Sequence, residues 1–175
     1  MLCYKQANSD IELQQILELQ QANLPKSLTK DEKEQEGFLT VEHSFDVLKA
    51  MNKVCKHTIA IDQNRVVGYA LSMHPSFDDK IPVLKSMVVE INTILPKDTY
   101  YMIMGQICIA KAYRGKGIFR GLYKTMREFI SSNFDKIITQ VDTKNTRSIH
   151  AHQAVGFKEL KRYWADDKEW SLIVI

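Results

Sequence analysis

The stretch that most constrains how this chain can fold is residues 107–130. Ile107 and Ile109 belong to an apolar run that ends near Ala110, and Gly115 and Gly117 follow two residues apart. Ile118, Leu122, Met126, Phe129 and Ile130 then recur at helical spacing and predict one buried helix face. A buried strand that passes through a glycine turn directly into a helix builds an anion site. The first amides of the helix lack intrahelical acceptors and carry partial positive charge, while glycine lets the backbone approach a ligand closely. Arg114, Lys116 and Arg120 add charge at the same turn, and arginine pairs with phosphate oxygens in bidentate fashion. A polyanionic ligand is one reading; an ordinary strand-to-helix turn with solvated basic residues is the other.

Two nucleotide-binding patterns bear on this turn. The mononucleotide loop, a glycine and four residues followed by Gly-Lys-Ser/Thr, does not occur in the chain. The dinucleotide pattern Gly-x-Gly-x-x-Gly nearly does, but Arg120 holds its third glycine position and Gly121 comes one residue late. Asp142, at the end of the next predicted strand, suits the ribose-binding acid. Against that reading, too little sequence follows the turn to complete a doubly wound sheet, and it stands only as an alternative.

The rest of the chain alternates helical and extended patterns. Residues 2–6 read as a strand, and Ser9 with Glu12 forms a capping box before Leu13, Ile16, Leu17 and Leu24. Pro25 ends that helix, and the polar stretch 26–40 reads as a solvated loop or short helix. Ser44 caps a helix that turns Phe45, Leu48, Met51 and Cys55 inward. Residues 57–61 and 66–73 form a hairpin around 62–65, and Leu84, Met87, Val88, Ile91 and Leu95 mark an inserted helix. The run 101–109 is apolar on both faces, which places it centrally in a sheet, and Gly105 within it marks a bulge or a close approach. A strand at 136–141, a helix at 145–155 stopped by Gly156, and a hairpin turning at Asp166 and Asp167 complete the reading.

With 175 residues, 45% of them hydrophobic, the chain reads as one globular domain spanning 1–175. A formal charge of +3 favours an anionic ligand but falls short of a dedicated nucleic-acid binder. Cys3, Cys55 and Cys108 are odd in number and form no Cys-x-x-Cys pair, which points to a reducing, cytoplasmic compartment. No run approaches the ~18 apolar residues of a membrane span, so no membrane association is expected.

Tyr113, Arg114, Gly115, Lys116, Gly117 and Ile118 resemble the pyrophosphate loop of the GNAT superfamily of N-acetyltransferases. Downstream, Asn145, Thr146, Arg147 and Ser148, then His152, then Gly156 and Phe157 resemble a second element of the same family. Together the two motifs cover about residues 100–157. Two positions depart: Phe119 stands where the family has glycine or alanine, and His152 where it has tyrosine.

The resemblance implies an α+β (mixed α/β) GNAT-like fold, with a central twisted, mostly antiparallel sheet of six or seven strands, a splayed central pair and flanking helices. It implies acetyl-CoA as co-substrate and transfer of its acetyl group to a primary amine by direct attack in a ternary complex. The acceptor is then a small molecule or a peptide amine, and a homodimer is compatible. The backbone around Ile107, Cys108 and Ile109 would pair with the pantetheine arm. Arg114, Gly115, Lys116, Gly117, Ile118, Phe119 and Arg120 would hold the diphosphate, and Asn145 and Ser148 would sit near the arm. His152 becomes the candidate proton donor to the leaving thiolate. Phe38 and Glu42, after the first helix, become candidates for the acceptor wall. No general base is evident, because the run 100–110 contains no Asp or Glu and Gln106 cannot serve.

No metal is expected: His150 and His152, two apart on a helix, point to different faces, and no other ligand cluster is evident. Besides the dinucleotide reading, two other function classes stay open. One is a non-catalytic CoA-binding regulatory or partner module of GNAT-like fold. The other is an RNA-binding domain using Arg114, Lys116, Arg120, Lys124 and Arg127, for which the chain offers no aromatic stacking platform.

Overall fold

A computed structural model describes residues 1–27, 29, 39 and 41–175. Among them are seven strands: β1 (Cys3–Gln6), β2 (Thr58–Asp62), β3 (Arg65–Met73), β4 (Tyr101–Ile109), β5 (Lys136–Asp142), β6 (Lys158–Ala165) and β7 (Lys168–Val174). The five α-helices are α1 (Asp10–Gln21), α2 (Phe45–Val54), α3 (Pro82–Ile94), α4 (Ile118–Ile130) and α5 (Thr146–Ala154). The strands form one sheet in the order β1-β2-β3-β4-β5-β7-β6. The described residues divide into two compact units, Met1–Ser72 with Gly105–Phe129, and Met73–Met104 with Ile130–Ile175.

In the first unit, β1, β2 and β3 pair antiparallel in sequence. The capping box forms as the residues dictate: Ser9 Oγ accepts from the Glu12 amide at 3.2 Å, and Glu12 Oε2 accepts from the Ser9 amide at 3.2 Å. Gln63 and Asn64 both take positive φ (48° and 61°), the two-residue turn that matches the twist of a hairpin. Leu13 and Ile16 of α1, Leu48 and Met51 of α2, and Ile59, Tyr69 and Leu71 of the sheet are buried. Each such aliphatic side chain contributes roughly 1.5–3 kcal/mol on burial.

Helix α4 corrects the expected buried face. Ile118, Leu122 and Met126 are buried, but Tyr123 joins them at 1% exposure while Phe129 is 41% exposed. At 100° per residue Tyr123 widens the stripe through 118, 122 and 126, whereas Phe129 stays in line with it and is exposed in the last turn of the helix.

In the second unit, β5, β7 and β6 are antiparallel neighbours. Asp166 and Asp167, at φ 51° and 57°, make the β6–β7 turn. Met87 and Ile91 of α3 are buried, as are Met102, Ile103, Ile137, Ile138 and Leu172. β4 and β5 pair in parallel only over Tyr101↔Lys136, Met102↔Ile137 and Ile103↔Ile138. β4 then continues through Gly105, without a break in the strand, to Ile109, and β5 to Asp142. The β4–β5 ladder therefore covers only the first three residues of β4. Within the first unit taken by itself, residues 105–109 form an edge strand beside β3.

Candidate active site

The Ala110 amide donates to the Val67 carbonyl at 2.9 Å, which fixes the alternation of the strand end. Counting back from Ala110, the Cys108 amide also faces β3, so those of Ile107 and Ile109 face the open edge. Their side chains are half-buried, whereas Cys108 lies on the other face beside Tyr69. Burial pushes the Cys108 thiol up to about 12, so it stays protonated at neutral pH.

Past a short 3-10 turn (Lys111–Tyr113), Gly115 and Gly117 take φ of 74° and 78°, a region that side-chain-bearing residues rarely adopt. A Cβ built on either meets nothing within 4 Å, so the turn opens on empty space. The Gly121 amide closes the first helical bond of α4, to the Gly117 carbonyl at 3.1 Å. The N-terminus of a thirteen-residue helix thus points into the turn. Ile118 is buried and anchors that end against the sheet, where a Cβ on Gly68 would lie 3.1 Å from its Cγ2. Phe119, half-buried, packs edge-on against Tyr123 one turn further on, with ring centroids 5.1 Å apart. Lys116 and Arg120 are exposed, and the Lys116 ammonium stands 5.1 Å from the Tyr113 ring centroid.

The Arg114 guanidinium is engaged within the first unit. Its Nε donates to the Ile109 carbonyl at 3.1 Å and its Nη2 to Asn23 Oδ1 at 2.7 Å, while Asn23 Nδ2 donates to the Leu19 carbonyl. The guanidinium therefore ties the glycine turn to the end of β4 and to the end of α1. Deeper in the same unit, the Tyr69 hydroxyl donates to Gln106 Oε1 at 2.6 Å, and Gln106 Nε2 donates to the Val41 carbonyl at 2.8 Å. Gln106 serves as a clamp on the segment that follows α1. In the sequence Gln106 is set aside only as a base; its signal for this role is a polar residue between Met104 and Cys108 on an otherwise apolar strand.

Asn145, Ser148 and His152 come together in the second unit. Asn145 Oδ1 accepts from the Ser148 amide at 3.1 Å and so caps α5. His152 is 2% exposed, packs edge-on to Phe157 at 5.1 Å, and directs Nδ1 at the Ser148 carbonyl, 2.7 Å away. Burial lowers its pKa from 6.5 to about 4, only partly offset by the Ser148 bond. The ring is neutral at pH 7.

Of the two acceptor-wall candidates, Phe38 lies outside the described residues. Glu42 is exposed, with Gln21 Nε2 at 2.5 Å and Lys26 Nζ at 3.0 Å from its Oε1. Among the described residues no cluster of three metal-ligating side chains exists, and no helix is long and apolar enough to cross a membrane.

Residues 13–157 match the model of the Acetyltransferase (GNAT) family. The chain belongs to that family. It is accordingly an acyltransferase, and the match begins at Leu13, well upstream of the two motifs legible in the sequence. No curated protein sequence matches the chain. Solved structures share its fold at low identity. One is that of the NatC complex bound to Gag peptide and CoA (15% identical, TM-score 0.69, covering 99% of this chain and 97% of that one). A second is Naa50 of Arabidopsis thaliana with the bisubstrate analogue CoA-Ac-MVNAL (14%, 0.66, 99% and 97%). A third is the ribosomal-protein-S18-alanine N-acetyltransferase of Escherichia coli (11%, 0.65, 100% and 93%). The mixed α+β, GNAT-like fold implied by the motifs is the fold of these neighbours.

Proposed function

We propose that this member of the family transfers the acetyl group of acetyl-CoA to a primary amine by direct attack, with both substrates bound together. The observation that carries the reading is the open, positive-φ glycine turn at the start of α4, which suits a diphosphate. The amides of the turn, with Lys116 and Arg120, would hold the phosphates, and Arg114 would act by fixing the turn. The edge amides of Ile107 and Ile109 would pair with the pantetheine arm.

Bound there, acetyl-CoA supplies an acetyl group activated as a thioester. The amine nitrogen forms the new C–N bond as the C–S bond breaks; the nitrogen gives up one proton and the departing thiolate takes one up, so the step is balanced with no further reactant. An edge amide near Ile109 would stabilise charge developing on the carbonyl oxygen, an effect worth about 2.7–4 kcal/mol where a single such donor has been removed from an enzyme. Direct attack is favoured over an acyl-enzyme route through the nearby thiol because Cys108 is buried and protonated. In this reading His152 is a positioning residue that fixes α5 and its cap rather than the proton donor.

A thiol-release assay with acetyl-CoA and a panel of amines tests the proposal. Peptide N-termini head the panel, because two structural neighbours hold a peptide or a peptide-bearing analogue. Lysine peptides, amino acids and small amines complete it. Amine-dependent release supports transfer; binding of acetyl-CoA without release across the panel favours the regulatory-module reading.

A further inference from the structure

Two close approaches orient the start of α4 within the first unit. A Cβ built on Gly121 would collide with the Tyr4 ring of β1, so that side of the helix rests directly on the outer strand. A Cβ built on Gly68 would lie 3.1 Å from Ile118 Cγ2 and 3.5 Å from Ile109 Cγ1, so the first residue of α4 packs over β3 and beside the end of β4. In the order β1-β2-β3-β4, the Gly121 side of the helix therefore faces β1 and the opposite side faces the open β4 edge.

Phe119 and Tyr123 lie two positions before and two after Gly121. At 100° per residue each is about 200° around the helix from it, on the side turned toward Ile107 and Ile109. Tyr123 is the buried member of the pair, whereas Phe119 stays half-buried one turn nearer the glycines, its ring edge-on to Tyr123 at 5.1 Å. Helical side chains lean toward the N-terminus, so the exposed part of the Phe119 ring flanks the glycine turn.

A ligand that runs from the glycine turn to the β4 edge passes this ring. What the ring offers is chemically narrow: apolar area, backed by a buried aromatic neighbour and so ordered before a ligand arrives. A charged or strongly hydrated group gains little against it, whereas alkyl carbons shed water there. Glycine or alanine, which the motif holds at this position, would leave no such surface.

We propose that Phe119 determines which diphosphates this site accepts, by packing against the carbon bearing two methyl groups that follows the diphosphate in the pantetheine arm of coenzyme A. The turn supplies the anion contacts, and Phe119 supplies the preference for a ligand that carries the arm. The inference rests on the reading of the turn as a coenzyme diphosphate site, and its test separates the two.

Calorimetric titrations of the full chain compare coenzyme A with 3′-phospho-ADP, the same nucleotide without the arm. Phe119→Ala should weaken coenzyme A about tenfold, the effect of two methyl groups losing apolar contact, while 3′-phospho-ADP changes less than about twofold. Phe119→Leu, which keeps branched apolar bulk, should weaken coenzyme A less than about threefold. The inference is overturned if Phe119→Ala weakens both ligands alike, since the ring then acts only through the turn. It is equally overturned if coenzyme A binds the alanine variant as well as or better than the parent, or if leucine costs as much as alanine. In each of those cases the parent still takes up coenzyme A and the reading of the turn stands; a parent that does not bind coenzyme A overturns that reading and the inference with it.

Discussion

His57 makes the fold depend on pH in a way that the structure allows to be sized. The residue is fully buried just before β2, where its Nδ1 accepts from the Ser72 amide at 3.1 Å. That acceptor role places the proton on Nε2, which donates to the Leu48 carbonyl at 3.1 Å. The neutral ring thereby joins α2 to β3, and burial lowers its pKa from 6.5 to about 4. Because the unfolded chain takes up the proton first, this contribution is complete above pH 6.5 and is lost as pH falls toward 4. Between pH 7 and pH 5 the loss is about 2 kcal/mol for this one ring. Urea unfolding followed by far-UV circular dichroism at the two pH values measures it. His57→Leu should be less stable at pH 7, since two buried backbone groups lose a partner at roughly 1–3 kcal/mol each. The same variant should show a pH 7-to-5 loss about 2 kcal/mol smaller than the parent, the remainder coming chiefly from buried His152 and His43. A variant that keeps the full parental loss would refute the reasoning.

Two further outcomes follow from the site. Arg114→Met should weaken acetyl-CoA binding about tenfold by releasing the glycine turn, and adding Asn23→Ala should cost little more, because the two residues share one bond; fully additive losses in a double-mutant cycle would instead indicate independent roles. His152→Phe should leave the shape of the pH–rate profile between pH 6 and 8 unchanged, with turnover down less than tenfold; a fall of ~10²- to 10⁴-fold would restore the proton-donor role.

What was legible in the sequence was local. The Ser9 and Glu12 box, the Ser44 cap, the two hairpin turns and the glycine turn all lie in spans of a few residues whose backbone preferences decide them. Resemblance to the family, itself carried by two short motifs, extended that reading to the order of the fold. What could not be read was set by partners far apart in the chain. Arg114 finds Asn23 across 91 positions, and Gln106 finds Val41 across 65. No periodicity announces either pair. Gln20 shows the intermediate case: a polar residue in register with Leu13 and Ile16 on the buried stripe of α1 signals a buried amide, but not that its partner is the backbone of His43. His57, read as a strand residue, instead joins two elements from just outside the strand, because its ring reaches groups that extended backbone alone would not connect.

The central claim is that the turn at Gly115 and Gly117 grips a coenzyme diphosphate, and isothermal titration calorimetry with acetyl-CoA tests it most directly. One molecule bound per chain, weakened by Lys116→Met and lost or nearly lost with a β-branched residue at Gly117, is the result this account predicts. Absence of uptake by protein whose circular dichroism shows it folded, or uptake indifferent to both substitutions, would contradict it.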